Sequence, residues 1–220
     1  MEHLAERIED LGIVPVVVID DAAHSVSLGQ VLVKEGLPCA EITFRTAAGQ
    51  EAIRRLAAEL PDLLVGAGTV LKVEQARQAI EAGARFIVAP GFNPGVVDYC
   101  LEQGIEVFPG ICTPTDIEAA LEKGLSILKF FPAEPMGGLD FMKAISAPYG
   151  MVRFIPTGGI GPGNLKQYLA FEKTLACGGS WMVHTDWISK GQFDLVSRHV
   201  REAVRLVSEV RGAPASWQSE

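Results

Sequence analysis

Residues 85–124 read RFIVAPGFNPGVVDYCLEQGIEVFPGICTPTDIEAALEKG, and the fold follows from this stretch. The apolar run 85–89 is short and ends before a turn. Asn93-Pro94 then sets a capping side chain directly ahead of a proline at the first helical position. The amphipathic segment 94–102 closes at Gln103-Gly104, a helix-end signature. The pattern repeats at once. The run 105–108 is followed by Thr113-Pro114, the segment 114–122 and a stop at Lys123-Gly124. Two strand-to-helix units in tandem imply parallel strands joined by right-handed crossovers.

The same alternation extends in both directions. Strand-like runs occupy 13–19, 39–43, 63–67, 85–89, 105–108, 126–130, 152–156 and 174–177, each short and bounded by Gly, Pro or Asn. Such runs mark strands buried on both faces. Helix-like segments occupy 22–34, 47–60, 72–82, 94–102, 114–122, 139–146, 162–169 and 193–210. Eight units spaced about 20–27 residues apart, without a glycine-rich dinucleotide fingerprint, favour a closed barrel over an open doubly wound sheet. The predicted architecture is a compact α/β fold, a (β/α)8 TIM barrel forming one domain over residues 1–220. A leading helix over 4–11 plugs or flanks its bottom, and the Pro/Ser-containing tail after Gly212 reads as frayed.

Composition narrows the function classes. The 220 residues carry 19 Lys and Arg against 27 Asp and Glu, a net charge of −8, with 48% hydrophobic residues and 21% charged. That balance excludes an intrinsically disordered chain. The acidic surplus and the lack of a basic run argue against nucleic acid as a partner. The acidic, helix-like residues 1–12 do not read as a secretory signal, and no apolar run approaches the length of a membrane span. Cys39, Cys100, Cys112 and Cys177 are scattered, without a C-x-x-C pair. Three of them sit inside or next to apolar stretches and read as small buried hydrophobes, and the scatter argues against a disulfide framework or zinc site, in keeping with a reducing cytoplasm. His3, His24, His184 and His199 lack ligand spacing, so no metal site is expected.

In a barrel the chemistry lies at the C-terminal ends of the strands. Strand six ends Ile127-Leu128-Lys129-Phe130-Phe131-Pro132. Alternation puts Lys129 and Phe131 on one face. A buried amine among aromatic walls has its charged form disfavoured, which frees the lone pair for attack on a carbonyl. The plainer reading is a lysine snorkelling at a strand end against a carboxylate. Strand two ends Glu41-Ile42-Thr43-Phe44-Arg45-Thr46, with Glu41, Thr43 and Arg45 on one face. Glu41 is a candidate general acid/base, and the planar fork of Arg45 suits a substrate carboxylate. The alternative for these charges is a structural ion pair across the barrel. Thr69, after strand three, offers a hydroxyl to substrate or caps the next helix. Thr157-Gly158-Gly159 follows strand seven and Gly178-Gly179-Ser180 follows strand eight, where bare amides can hold a phosphate. His184 reads as a surface histidine, and Trp181 and Trp187 as packing or interface residues.

EITFRT (41–46), VGAGTVL (65–71), APGFNP (89–94), PGICTP (109–114), KFFPAE (129–134), PTGGI (156–160) and CGGSW (177–181) together resemble the class I aldolases that cleave 2-dehydro-3-deoxy-6-phosphogluconate (KDPG), some of which also act on 4-hydroxy-2-oxoglutarate (KHG). The likeness spans nearly the whole chain in order. It implies a small (β/α)8 barrel, a homotrimer, and no metal or organic cofactor. By resemblance, Lys129 forms the Schiff base and Glu41 moves the protons. Arg45 and Thr69 hold the keto-acid end, and Phe131 and Pro90 line the pocket. Thr157, Gly158, Gly159, Gly179 and Ser180 bind the distal phosphate. Two residues depart from the pattern. Ala89 stands where many relatives have Ser, and His184 where many have Pro, which leaves fine substrate preference open. The alternatives are an aldolase for the galacto epimer or for KHG, and a non-catalytic sugar-phosphate-binding barrel.

Overall fold

The structure is a computed structural model and describes residues 2–212; the tail expected to fray, 213–220, lies outside the described residues. Strands β1 (Ile13–Val17), β2 (Cys39–Thr43), β3 (Leu64–Gly68) and β4 (Phe86–Val88) are each followed by helical turns, and β5 (Glu106–Phe108) by a further strand. They form one six-stranded parallel sheet in the order β5-β4-β3-β2-β1-β9, where β9 is Cys177–Gly179. β6 (Gly110–Ile111), β7 (Ile127–Phe130) and β8 (Arg153–Pro156) form a second, three-stranded parallel sheet. The alternating β and α elements and the all-parallel pairing agree with the expected α/β class.

The strand expected at 105–108 is present as β5, and a second short strand that was not expected, β6, follows it. Pro109 separates β5 from β6 and has no N–H to donate to a ladder. There the chain changes partner: β5 pairs with β4, whereas β6 pairs with β7. The last strand also differs from the expected 174–177. Cys177–Gly179 pairs with β1, while Thr174 and Gly178 make isolated parallel bridges to Phe154 of β8 and to Thr157 just after it. This segment therefore touches both sheets and carries the loop after it alongside Thr157.

The helices are α1 (Glu2–Leu11), α2 (Ser25–Lys34), α3 (Gly49–Glu59), α4 (Val73–Glu81), α5 (Pro94–Glu102), α6 (Pro114–Glu122), α7 (Gly138–Ser146), α8 (Leu165–Leu169), α9 (Thr185–Ser189) and α10 (Phe193–Arg211). The two Pro-initiated helices start where capping chemistry places them. Asn93 accepts from the amides of Gly95 and Val96, and Thr113 forms a reciprocal capping box with Asp116. The helix expected from 22 opens as a 3-10 turn, Ala22–His24. The one expected from 162 starts only at Leu165. α9 was not expected; at five residues it is too short for an amphipathic period to show.

Every residue of β1, β2 and β3 is buried, which explains the apolar character of β1 and β3 and sets Glu41 and Thr43 of β2 apart as buried polar residues. α1 closes one end of the core: Ile8 is fully buried and lines the same small interior cavity as Glu41 and Lys129. Glu9 takes a bidentate contact from Arg153 on β8, at 2.7 and 2.6 Å. Arg211, at the end of α10, donates to the carbonyls of Glu9, Leu175 and Thr174. The first and last helices are thereby tied to the strands at the end opposite the candidate site.

Candidate active site

Lys129 and Glu41 come from different sheets and meet inside the molecule. Lys129 pairs in register with Gly110 and Ile155, and Glu41 with Val16 and Gly66. Alternation turns both side chains inward. Lys129 Nζ lies 3.6 Å from Glu41 Oε1, with the side chains 5% and 4% exposed. Charge-assisted hydrogen bonds close to about 2.7–2.9 Å. This pair is looser, and Glu41 Oε1 has no hydrogen-bond partner among the described residues. Burying two charges so loosely returns little stability, which argues against a purely structural ion pair. The ring of Phe131 stands 5.1 Å from the amine. Ile8, Val14, Phe86, Val88, Phe108 and Ile155 enclose the rest of the interior cavity.

The carboxylate of Glu41 fits only because position 68 has no side chain. A Cβ on Gly68 would stand 2.1 Å from Glu41 Oε1. Thr43, two residues on, donates to the carbonyl of Val17 at 2.8 Å. Arg45, past the strand, is exposed and donates from Nε to Thr69 Oγ1 at 3.2 Å. Thr69 has φ +55. The capping role weighed for Thr69 is corrected by the geometry, because the residue at the N-cap of α4 is Lys72. The threonine hydroxyl instead turns to Arg45.

Above the amine a mouth pocket of about 490 Å³ is lined by Arg45, Phe131, Thr157, Gly158, Gly159, Gly179 and Ser180, among others. Thr157 lines this pocket and the interior cavity alike, so it marks where the two meet. The structure thus gathers Lys129, Glu41, Arg45, Phe131, Thr157, Gly158, Gly159, Gly179 and Ser180 around one axis. Thr69 joins through Arg45. Pro90, expected on the wall, is half-buried and is not among the lining residues.

The two glycine loops present donors. The Thr157 and Gly158 carbonyls accept from the amides of Ala133 and Glu134, at 2.8 and 3.0 Å. The Gly159 carbonyl accepts from Asn164 Nδ2 at 3.0 Å. The amides of Gly159, Ile160 and Ser180 donate to no acceptor among the described residues. Consecutive unpaired amides in a glycine turn form an anion-binding concavity.

Two contributors escaped sequence reading. His184 is exposed, as expected, but it also lines the mouth pocket and its side chain accepts from the Asp186 amide at the start of α9. Asn164 was absorbed into the expected helix 162–169; the only sequence signal was an Asn close behind a Gly-Gly turn. Trp187 stacks on His199 with centroids 4.6 Å apart, in agreement with a packing role. Among the described residues, no group of three or more His, Cys, Asp or Glu is placed to hold a metal ion, and no helix is long and apolar enough to cross a membrane.

Comparison with known proteins adds to this geometry. Residues 4–199 match the family model for KDPG and KHG aldolases. The chain is 48% identical over 207 residues to the 2-dehydro-3-deoxy-phosphogluconate aldolase of Treponema pallidum (strain Nichols), covering 94% of this chain and 99% of that one. Among solved structures it is similar to a KDPG aldolase from Legionella pneumophila in which pyruvate is captured as a covalent carbinolamine, with a TM-score of 0.85, 32% identity, and 87% and 93% of the two chains covered. It is also similar to the 2-keto-3-deoxy-6-phosphogluconate aldolase of Zymomonas mobilis ZM4 with 3-phosphoglycerate, with a TM-score of 0.82, 36% identity, and 90% and 94% covered.

Proposed function

The chain belongs to the KDPG and KHG aldolase family, and from that premise we propose that it is a class I aldolase cleaving 2-dehydro-3-deoxy-6-phosphogluconate to pyruvate and glyceraldehyde 3-phosphate. The observation that carries this reading is the buried Lys129 amine 3.6 Å from a carboxylate oxygen that no donor satisfies. The pyruvate carbinolamine of the Legionella relative supports the covalent route.

Neutral Lys129 attacks the C2 ketone. Loss of water leaves a protonated imine, which serves as the electron sink, so the scheme calls on no metal or organic cofactor. Glu41 takes the proton of the C4 hydroxyl. The C3–C4 bond breaks, its electron pair enters the imine to give an enamine, and glyceraldehyde 3-phosphate leaves. Glu41 returns a proton to C3, and water hydrolyses the imine to release pyruvate and the free amine. Arg45 and Thr69 hold the carboxylate end, with Phe131 as a wall. Thr157, Gly158, Gly159, Gly179 and Ser180 hold the phosphate. The 3-phosphoglycerate of the Zymomonas relative and the unpaired amides here support a distal anion site.

We read the two sheets as one closed (β/α)8 barrel forming a single domain over 1–220. The chain continuity of β5 and β6 across Pro109 and the bridges Phe154–Thr174 and Thr157–Gly178 support closure. A cytoplasmic homotrimer completes the proposal. Pyruvate release measured on KDPG, its galacto epimer and 4-hydroxy-2-oxoglutarate ranks the substrates. The expected order places KDPG first in kcat/KM. A higher value for either of the others reassigns the substrate, and turnover of none leaves a sugar-phosphate-binding barrel.

A further inference from the structure

Asn164 sits at the N-cap of α8 yet makes no capping hydrogen bond to its own helix. Asparagine at that position ordinarily accepts from the first free amides of the helix and stabilises it. Here the carboxamide reaches back instead. Its Oδ1 accepts from the Gly161 amide at 2.8 Å, and its Nδ2 donates to the Gly159 carbonyl at 3.0 Å. One planar group clips both ends of the turn after β8.

The consequence follows from peptide planarity. In a trans peptide the C=O of one residue and the N–H of the next point in opposite directions. Gly159 O is drawn out of the mouth pocket to Asn164, so the Ile160 N–H is turned the other way. The Glu134 amide does the same for Gly158 O, at 3.0 Å, and so for the Gly159 N–H. Both amides lack an acceptor among the described residues, and Gly158, Gly159 and Ile160 all line the mouth pocket. Gly159 has φ +82, and a Cβ there would lie 2.6 Å from Glu134 Cβ. Glycine is therefore needed at this position, and glycine leaves the following peptide free to rotate. Among the described residues, no other group donates to Gly159 O.

We propose that Asn164 is a positioning residue for the distal anion, holding the 159–160 peptide so that its N–H, rather than its carbonyl, faces the substrate phosphate. This rests on the distal anion site of the proposed function and deepens it. Without the clip the peptide can flip and present a carbonyl oxygen to the anion, exchanging an attraction for a repulsion. The effect falls on phosphate recognition and spares the chemistry at Lys129, which is served by other strands.

The test uses the full-length protein with KDPG and with 4-hydroxy-2-oxoglutarate, which has no phosphate, and inorganic phosphate as a competitor against the second. In Asn164→Ala the KM for KDPG rises about tenfold or more relative to that for 4-hydroxy-2-oxoglutarate, kcat changes little, and inhibition by phosphate weakens to match. Asn164→Asp keeps the acceptor for Gly161 and a good helix cap but loses the donor to Gly159, so it does not restore the wild-type KM. Equal losses on both substrates, rescue by Asn164→Asp, or unchanged phosphate inhibition in Asn164→Ala each overturn the inference. If phosphate fails to inhibit the wild type, the anion site itself is misassigned and the inference falls with it. Borohydride trapping of pyruvate on the wild type reports separately on the aldolase reading.

Discussion

Glu41 Oε1 stands 3.6 Å from Lys129 Nζ and receives no hydrogen bond from any described residue. An oxygen so placed is free to take and return a proton beside the amine. Glu41→Gln keeps the shape and removes the base. The expected outcome is a fall in kcat of roughly 10²–10⁴-fold, the usual worth of positioned acid–base catalysis. Pyruvate adducts on Lys129 still form, only more slowly. Steady-state turnover and reductive trapping on the same variant check this, and wild-type kcat would assign the proton transfers elsewhere.

Gly68 is the reason that carboxylate can lie where it does. A methyl group there would stand 2.1 Å from Glu41 Oε1, so Gly68→Ala must push the side chain aside. A displacement of about 1 Å in a catalytic group costs on the order of 10²-fold. The expected result is a kcat loss of that size with KM for KDPG little changed, measured by pyruvate release. Unaltered kcat would mean that Glu41 has room to act from another position.

Ser180 follows β9 and lines the mouth pocket together with Gly158 and Gly159. A hydroxyl bonding a phosphate oxygen contributes about 1.5–3 kcal/mol, or roughly 10–100-fold in affinity. Ser180→Ala is expected to raise KM for phosphorylated substrate by an amount in that range, with kcat retained. An unchanged KM would remove Ser180 from the phosphate site.

Burial pushes the Cys39, Cys100 and Cys177 thiols up to about 12, whereas Cys112 is only partly buried. Thiolate is the reactive form. In the native protein a thiol reagent is expected to titrate Cys112 alone, with the other three reacting after unfolding. Rapid native reaction of all four would contradict their placement in the core.

The unit spacing was legible because buried strands appear as short apolar runs and because Asn93-Pro94 and Thr113-Pro114 announce their helices. Charges inside such runs are costly, so Lys129 and Glu41 stood out, and Arg45 stood out at a strand end. The glycine pairs at 158–159 and 178–179 were visible for a similar reason: glycine is rarely repeated without a backbone need. What stayed hidden depended on where the chain turns after a strand. Pro109 was in view, but its effect required knowing that β5 and β6 have different neighbours. Thr69 reads like a cap until its φ of +55 turns its hydroxyl to Arg45. Asn164 reads as part of a helix because its bonds run backward to a loop whose path no local pattern encodes.

The most direct test of the central claim is borohydride reduction of the folded protein with pyruvate, followed by mass mapping of the peptides. One reduced pyruvyl adduct is expected, on Lys129, abolished together with turnover in a Lys129→Ala variant that keeps the native circular dichroism. No adduct, or one on a different lysine with Lys129 unmodified, would contradict it.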